Sequence, residues 1–165
     1  MSGRRPVRLH AVTMLELEDR YLCEQLRLNM GAAVRLLEDA GAALDRRDAP
    51  LARAVLGTES FGDPGMRPLP RAARADAMVE MVSELAMGVA ELARVAWRPD
   101  REALPDAAIA GVVAQVSAVA RSAAATDCQD LGRAAALAHD VSTADAAVAA
   151  LLRVSESGRP ECLAS

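Results

Sequence analysis

Glu80 and Glu84 stand one helical turn apart in AMVEMVSELAMGVAELARV (77–95), so in a helix their carboxylates share a face. Asp76 and Glu91 fall within about 80° of the same line on a helical net, which makes Asp76, Glu80, Glu84 and Glu91 an acidic stripe. Met78, Met81, Val82, Leu85, Val89 and Leu92 gather on the opposite side. Paired carboxylates at this spacing can give oxygen ligands to a hard divalent cation, with the remaining ligands coming from another helix or from water. No His or Cys stands near the stripe, so a softer transition metal lacks its usual donors. A charged face opposite an apolar one also serves as a solvated or partner-facing surface, and that is the use favoured for these residues. Glu80 and Glu84 remain the place where a divalent metal would sit, and no obligate cofactor is expected.

Other reactive side chains are few. His139, followed by Asp140-Val-Ser, is the one histidine placed on a helical pattern, and His10 lies in the N-terminal lead. A phosphotransfer histidine would be exposed on a helix, but the acid beside His139 disfavours an incoming phosphoryl group. Cys23, Cys128 and Cys162 are an odd, widely spaced set without a CxxC pair, as expected of reduced thiols. No neighbouring His or Lys activates Cys23 or Cys128. The chain shows no Ser/His/Asp arrangement, glycine-rich phosphate loop or nucleotide motif, so catalysis is not expected.

The elements that must position the stripe follow from composition. The chain has 165 residues, 52% of them apolar and only 2% aromatic, with a single isoleucine, Ile109. Its core must be aliphatic and largely alanine, which suits closely packed helices rather than sheets. All 19 basic residues are arginine. A net charge of −4 argues against nucleic acid as a partner. No apolar run is expected to span a membrane, and Arg4, Arg5 and Arg8 precede no signal-peptide core, so a cytoplasmic protein without membrane insertion is expected.

Periodicity predicts an all-α fold, an antiparallel bundle of four long helices plus one short one, within a single domain over 11–156. Residues 1–10 read as a flexible lead and 157–165 as a frayed tail. The first long helix places Leu15, Leu22, Leu26, Met30, Ala33, Leu37, Ala40 and Leu44 on one face and ends near Arg46-Arg47. Asp48 is a cap for the short helix Pro50–Leu56. The Pro- and Gly-rich stretch 57–70 is a loop. The helix from Arg71 carries the acidic stripe and stops at Trp97, before Arg98-Pro99, with Trp97 covering one end of the bundle. A fourth helix from Pro105 uses Ile109, Val112, Val113, Val116, Val119, Ala120 and Ala123. Thr126-Asp127 reads as a cap for a fifth helix, from about Cys128 to Val154, with Leu131, Ala134, Ala138, Val141, Val148 and Leu152 inward. Asp145 falls inside that stripe and is expected to make a structural polar contact or to mark a bend.

LDRRDAPLARAVL (44–56) resembles the helix-hairpin corner of PhoU-type phosphate-uptake regulators, and TDCQDLGRAAALAHD (126–140) resembles the same corner in that family's second repeat. The stretch 77–95 is similar to the family's third helix, with its E/D-x-x-x-D motif and following NIAE-like segment. Glu80 stands at the first acid, Glu84 at the second as Glu for Asp, and Glu91 at the final Glu, while Gly88 stands where Asn is usual. WRPDREALPD (97–106) resembles the linker between repeats, and the likeness covers most of 12–152.

The resemblance implies an incomplete double three-helix repeat. Its second helix is cut short by the loop at 57–70, and a sixth helix is lacking before Ser165. It further implies a metal-cluster face of which Glu80 and Glu84 are part. The role implied is damping of phosphate-starvation signalling through a membrane sensor histidine kinase and a phosphate-transporter ATPase. An uncovered core stripe, left by the lacking helix, makes a homodimer the expected state. The alternative is a helical dimerisation or scaffold module unrelated to phosphate.

Overall fold

In a computed structural model of the chain, the backbone is described for residues 7–58, 70–98, 103–126 and 131–157, and side chains for 20–58, 76–98, 103–126 and 132–156. The described residues form five helices and no strand: α1 (Val7–Arg46), α2 (Ala49–Leu56), α3 (Pro70–Ala96), α4 (Asp106–Ala124) and α5 (Leu131–Ser157). The expected all-α bundle of four long helices and one short one is what forms. Helix α1 starts at Val7, inside the stretch expected to be a flexible lead. Residues 59–69 of the expected loop and 158–165 of the expected tail lie outside the described residues.

Contacts give each helix its direction. Leu26 packs on Met78, and the Trp97 indole N–H donates to the Leu44 carbonyl at 3.2 Å, so α1 and α3 run the same way. Arg47 approaches Asp106 at 3.7 Å, and a Cβ on Gly41 would lie 3.1 Å from Val116, so α4 runs back against α1. Arg133 donates to the Ala125 carbonyl at 3.0 Å across a short connection, so α5 returns antiparallel to α4. The packed pairs are α1 with α3, α1 with α4, α3 with α5 and α4 with α5, and α2 rests on both α1 and α3. Two layers result, α1–α2–α3 and α4–α5.

Alanine sets the spacing between these helices. Ala33, Ala40, Ala43, Ala86, Ala90 and Ala93 are buried among Leu37, Leu44, Leu85, Leu92 and Val89. Small side chains at helix contacts bring axes to the short end of the usual range of about 8–10 Å. The expected α1 face is buried from Leu26 to Leu44, and Leu15 lies outside the described side chains. The α4 face is as expected except that Val113 is half-buried.

Helix α5 differs from expectation. Its buried line is Leu137, Val141, Ala144, Val148 and Ser155, with Leu151 packed beside it. Alternating steps of four and three residues define that seam, and the expected stripe was rotated toward its flank. Asp145 is therefore exposed rather than part of the stripe, and no ion pair to it occurs among the described residues. Its Oδ1 lies 4.0 Å from where a Cβ on Gly88 would sit. Thr126 closes α4 by donating from its hydroxyl to Ser122 O at 2.8 Å, and Asp127 lies outside the described residues.

Candidate functional site

The acidic ribbon of α3 exists as a surface. Helix α3 is flanked by α1, α2 and α5, so most of its circumference is covered. Val79, Val82, Leu85, Ala86, Val89, Ala90, Leu92, Ala93, Val95 and Ala96 are all buried on it. What remains open is the narrow strip bearing Asp76, Ala77, Glu80, Glu84 and Arg94, all exposed. Ser83, at the edge of that strip, turns its hydroxyl back to Val79 O at 2.8 Å.

Glu91 departs from the rest of the stripe. It is half-buried, and the Arg94 guanidinium Nε donates to Glu91 Oε2 at 2.8 Å, with a second bond from Arg94 Nη2 to Glu91 Oε1. This bidentate bond holds the Glu91 carboxyl below its ordinary range against a smaller opposing effect of burial, and it raises the Arg94 guanidinium correspondingly. The negative charge open to a partner is therefore concentrated at Asp76, Glu80 and Glu84.

Among the described residues no group of three or more His, Cys, Asp or Glu side chains is placed to hold a metal ion. Glu80 and Glu84 supply one pair of carboxylates, and a hard cation takes about six or more oxygens. Such an ion would draw its other ligands from water or a partner. His139 is exposed on α5, where its carbonyl accepts a bond from Thr143 Oγ1 at 2.9 Å. Cys23 is a free, half-buried thiol, and Cys128 and Cys162 lie outside the described residues.

The corner at Arg46–Asp48 is the most constructed polar arrangement in the described chain. Asp48 N donates to Ala43 O at 2.9 Å, closing α1 with a reversed turn through Arg47 at φ 59°. Asp48 Oδ1 then accepts from Leu51 N at 2.9 Å, which caps α2 as expected. The Arg47 guanidinium carbon lies 4.0 Å from the Trp97 ring centroid. Sequence spacing placed Trp97 at a bundle end, but its hydrogen bond to Leu44 O and its stacking with Arg47 join α1 to α3 across 50 residues or more of chain and had no local signal.

Two helices also reach transmembrane length and composition: Asp106–Ala124 and Gly132–Glu156, with mean hydropathy 1.4 and 1.2 over their most apolar windows. That differs from the expectation of no such run. Only 33% and 22% of those windows are buried in the bundle, and length and composition alone assign no membrane location. No family model matches the chain, and no curated protein or solved structure matches it.

Proposed function

We propose that the chain is a non-enzymatic cytosolic regulator or adaptor of the PhoU-like kind, acting on phosphate-responsive signalling or transport by protein–protein contact and working as a homodimer. The observation that carries this reading is the layered arrangement. Helices α1, α2 and α3 pack mutually as one three-helix unit, with α4 and α5 as a second layer. The corner that resembles the family's, Leu44–Leu56, sits where α1 turns into α2. Asp76, Glu80 and Glu84 present free carboxylates to a basic partner surface on the first layer. A sensor histidine kinase or a phosphate-transporter ATPase is the partner class that the resemblance implies.

The test is capture from phosphate-replete and phosphate-starved cells, comparing the natural chain with Asp76→Arg/Glu80→Arg/Glu84→Arg. Recovery of a sensor kinase or transporter ATPase with the natural chain, and its loss with the triple variant, is the expected result. Recovery of neither, under both phosphate conditions, overturns the phosphate reading. A second reading, a dimerisation or scaffold module unrelated to phosphate, is favoured by the uncharged outer face of α4, where Ala107, Ala110, Gly111, Ala114 and Ala118 are exposed.

A further inference from the structure

We propose that this outer face of α4 is the surface on which a second copy of the chain packs, with the two α4 helices antiparallel about a two-fold axis near Ala114. The inference rests on the homodimer proposed above and assigns its face. Helix α4 buries Ile109, Val112, Val116, Val119, Ala120 and Ala123 against its own bundle. On the helical net Ala114 lies opposite that seam, and Ala107, Ala110, Gly111 and Ala118 surround it, all exposed.

Charge selects the occupant. Asp106 and Arg121 are the only ionisable side chains on α4, near its two ends, and both are exposed. They lie about 22 Å apart along the axis at 1.5 Å per residue. Asp106 already has Arg47 of its own chain at 3.7 Å, a loose pair between exposed groups. An antiparallel copy centred on Ala114 sets the arginine of the other helix beside that same acid, at both ends of the contact. A parallel copy would set like charges together, so the pattern favours a closed two-fold pair. An acidic or basic partner would find nothing to pair with between those ends.

Gly111 supplies a separate observation. A Cβ there would meet nothing within 4 Å, so packing inside the chain does not require glycine at this position. Glycine in an exposed helix interior is unfavourable relative to alanine, and close approach of a neighbouring backbone is a use that offsets it.

The available area approaches that of a stable interface. Helix α4 has 19 residues. It is therefore about 28 Å long. On α5 the flank bearing Asp145 and Val148 faces Gly88 of α3, and the flank bearing Arg133 faces the end of α4. Ala136, Asp140, Thr143, Ala150 and Val154, all exposed, lie on the helical net between that second flank and solvent. A layer two helices wide and about 28 Å long has a projected area of roughly 560 Å², and its accessible area is larger, near the roughly 800 Å² per partner of a stable interface. The exposed residues of α4 between Asp106 and Arg121 are Ala, Gly, Ser and Gln rather than the Leu, Phe and Trp that enter a lipid surface, which favours a protein copy over a membrane.

Sedimentation equilibrium of the full chain tests this, with far-UV circular dichroism on every variant. The natural chain is expected to be a dimer at micromolar concentration. Ala114→Arg is expected to weaken it about a hundredfold with helix content unchanged, because two like charges meet at the axis. Arg121→Asp is expected to weaken it about tenfold, and Asp106→Arg/Arg121→Asp to restore it. If Ala114→Arg loses helix, the single and double charge exchanges decide the question. A natural chain that stays monomeric overturns both the dimer and its face. A dimer unchanged in Ala114→Arg leaves the dimer standing and overturns the face. Co-sedimentation of the natural chain with phosphatidylcholine/phosphatidylglycerol vesicles, lost in Ala114→Arg, assigns the face to lipid and overturns the proposal.

Discussion

Arg47 stacks on Trp97 with its guanidinium carbon 4.0 Å from the indole centroid, while its own backbone takes φ 59°. A left-handed conformation at a non-glycine residue costs about 1–2 kcal/mol. Guanidinium stacking at an exposed site returns about 0.5–1 kcal/mol. The Arg47–Asp106 approach, at 3.7 Å between exposed groups, adds little. Replacing Arg47 by glycine relieves the strain as it removes the stacking, so Arg47→Gly is expected to stay within about 1 kcal/mol of the natural chain. Arg47→Ala keeps the strain and loses the stacking, and should fall below Arg47→Gly by about 1 kcal/mol in urea denaturation. Equal stabilities for the two variants would show that the left-handed residue is not strained.

Trp97 is half-buried and is tied to Leu44 by its indole N–H. Trp97→Ala removes the ring, the stacking platform and the hydrogen bond together. Its expected cost is about 2–3 kcal/mol, below the range for a fully buried aromatic. In a domain of this size that lowers Tm by about 5–10 °C. Trp97→Phe keeps an aromatic face and loses only the donor, so it should cost about 1 kcal/mol. A Trp97→Ala protein melting within a degree of the natural chain would remove the corner as a structural junction.

Gly88 and Gly41 make a paired test of helix spacing. A Cβ on Gly88 would meet Val148 Cγ1 at 3.5 Å, an ordinary contact, whereas one on Gly41 would meet Val116 Cγ1 at 3.1 Å, which is tight. Gly88→Ala should therefore realise most of the helix-propensity gain and stabilise by about 0.5–1 kcal/mol. At Gly41 the α1–α4 contact must open slightly, so Gly41→Ala should be neutral or destabilising by up to about 1 kcal/mol. Thermal melts of the two variants check the order, and a larger gain at Gly41 would contradict the close α1–α4 contact.

Much of this fold was legible because its helices carry long single-face stripes. The Leu26–Leu44 face of α1 and the Ile109–Ala123 face of α4 read directly from three- and four-residue spacing. Helix α5 resisted because alanine populates every side of it, so Leu131–Leu152 and Leu137–Ser155 are both plausible seams. The second is selected by contact with α3 and α4, which no local window contains. Exposure of Asp76, Glu80 and Glu84 was legible from the same periodicity. The Arg94 bond that draws Glu91 out of the stripe was also readable, as an acid–base pair three residues apart. The reach of Trp97 to Leu44 was not, since it depends on α1 and α3 running in the same direction.

Divalent ions should affect this protein weakly. Glu80 and Glu84 are both exposed, and an ion between them would draw its remaining ligands from water or a partner. Millimolar Mg²⁺, Ca²⁺ or Mn²⁺ is expected to move Tm by less than about 1 °C, since stabilisation by a ligand grows only once its concentration exceeds Kd. Thermal-shift titration of the natural chain beside Glu80→Ala/Glu84→Ala checks this. A shift of several degrees confined to the natural chain would establish a metal site on the ribbon.

Glu91 carries the pH dependence that the surface pairs can supply. Its carboxyl is held below its unfolded value by the hydrogen bonds from Arg94, so the folded state binds fewer protons than the unfolded one as pH falls through the ordinary carboxylate range. The contribution is thus complete above the unfolded value and is lost as pH drops through the lowered folded one. Both side chains are more than a third exposed, at 38% and 42%, so solvent screening limits the effect. About 0.2–0.5 kcal/mol is the scale for a pair three residues apart on a helix. Glu91→Gln should therefore lower stability at neutral pH by no more than about 0.5 kcal/mol, and the two proteins should converge in acid, below the folded value of Glu91. Urea denaturation of both chains across that range measures it. A difference that grows as pH falls would reverse the sign and place the stabilising interaction on the protonated carboxyl.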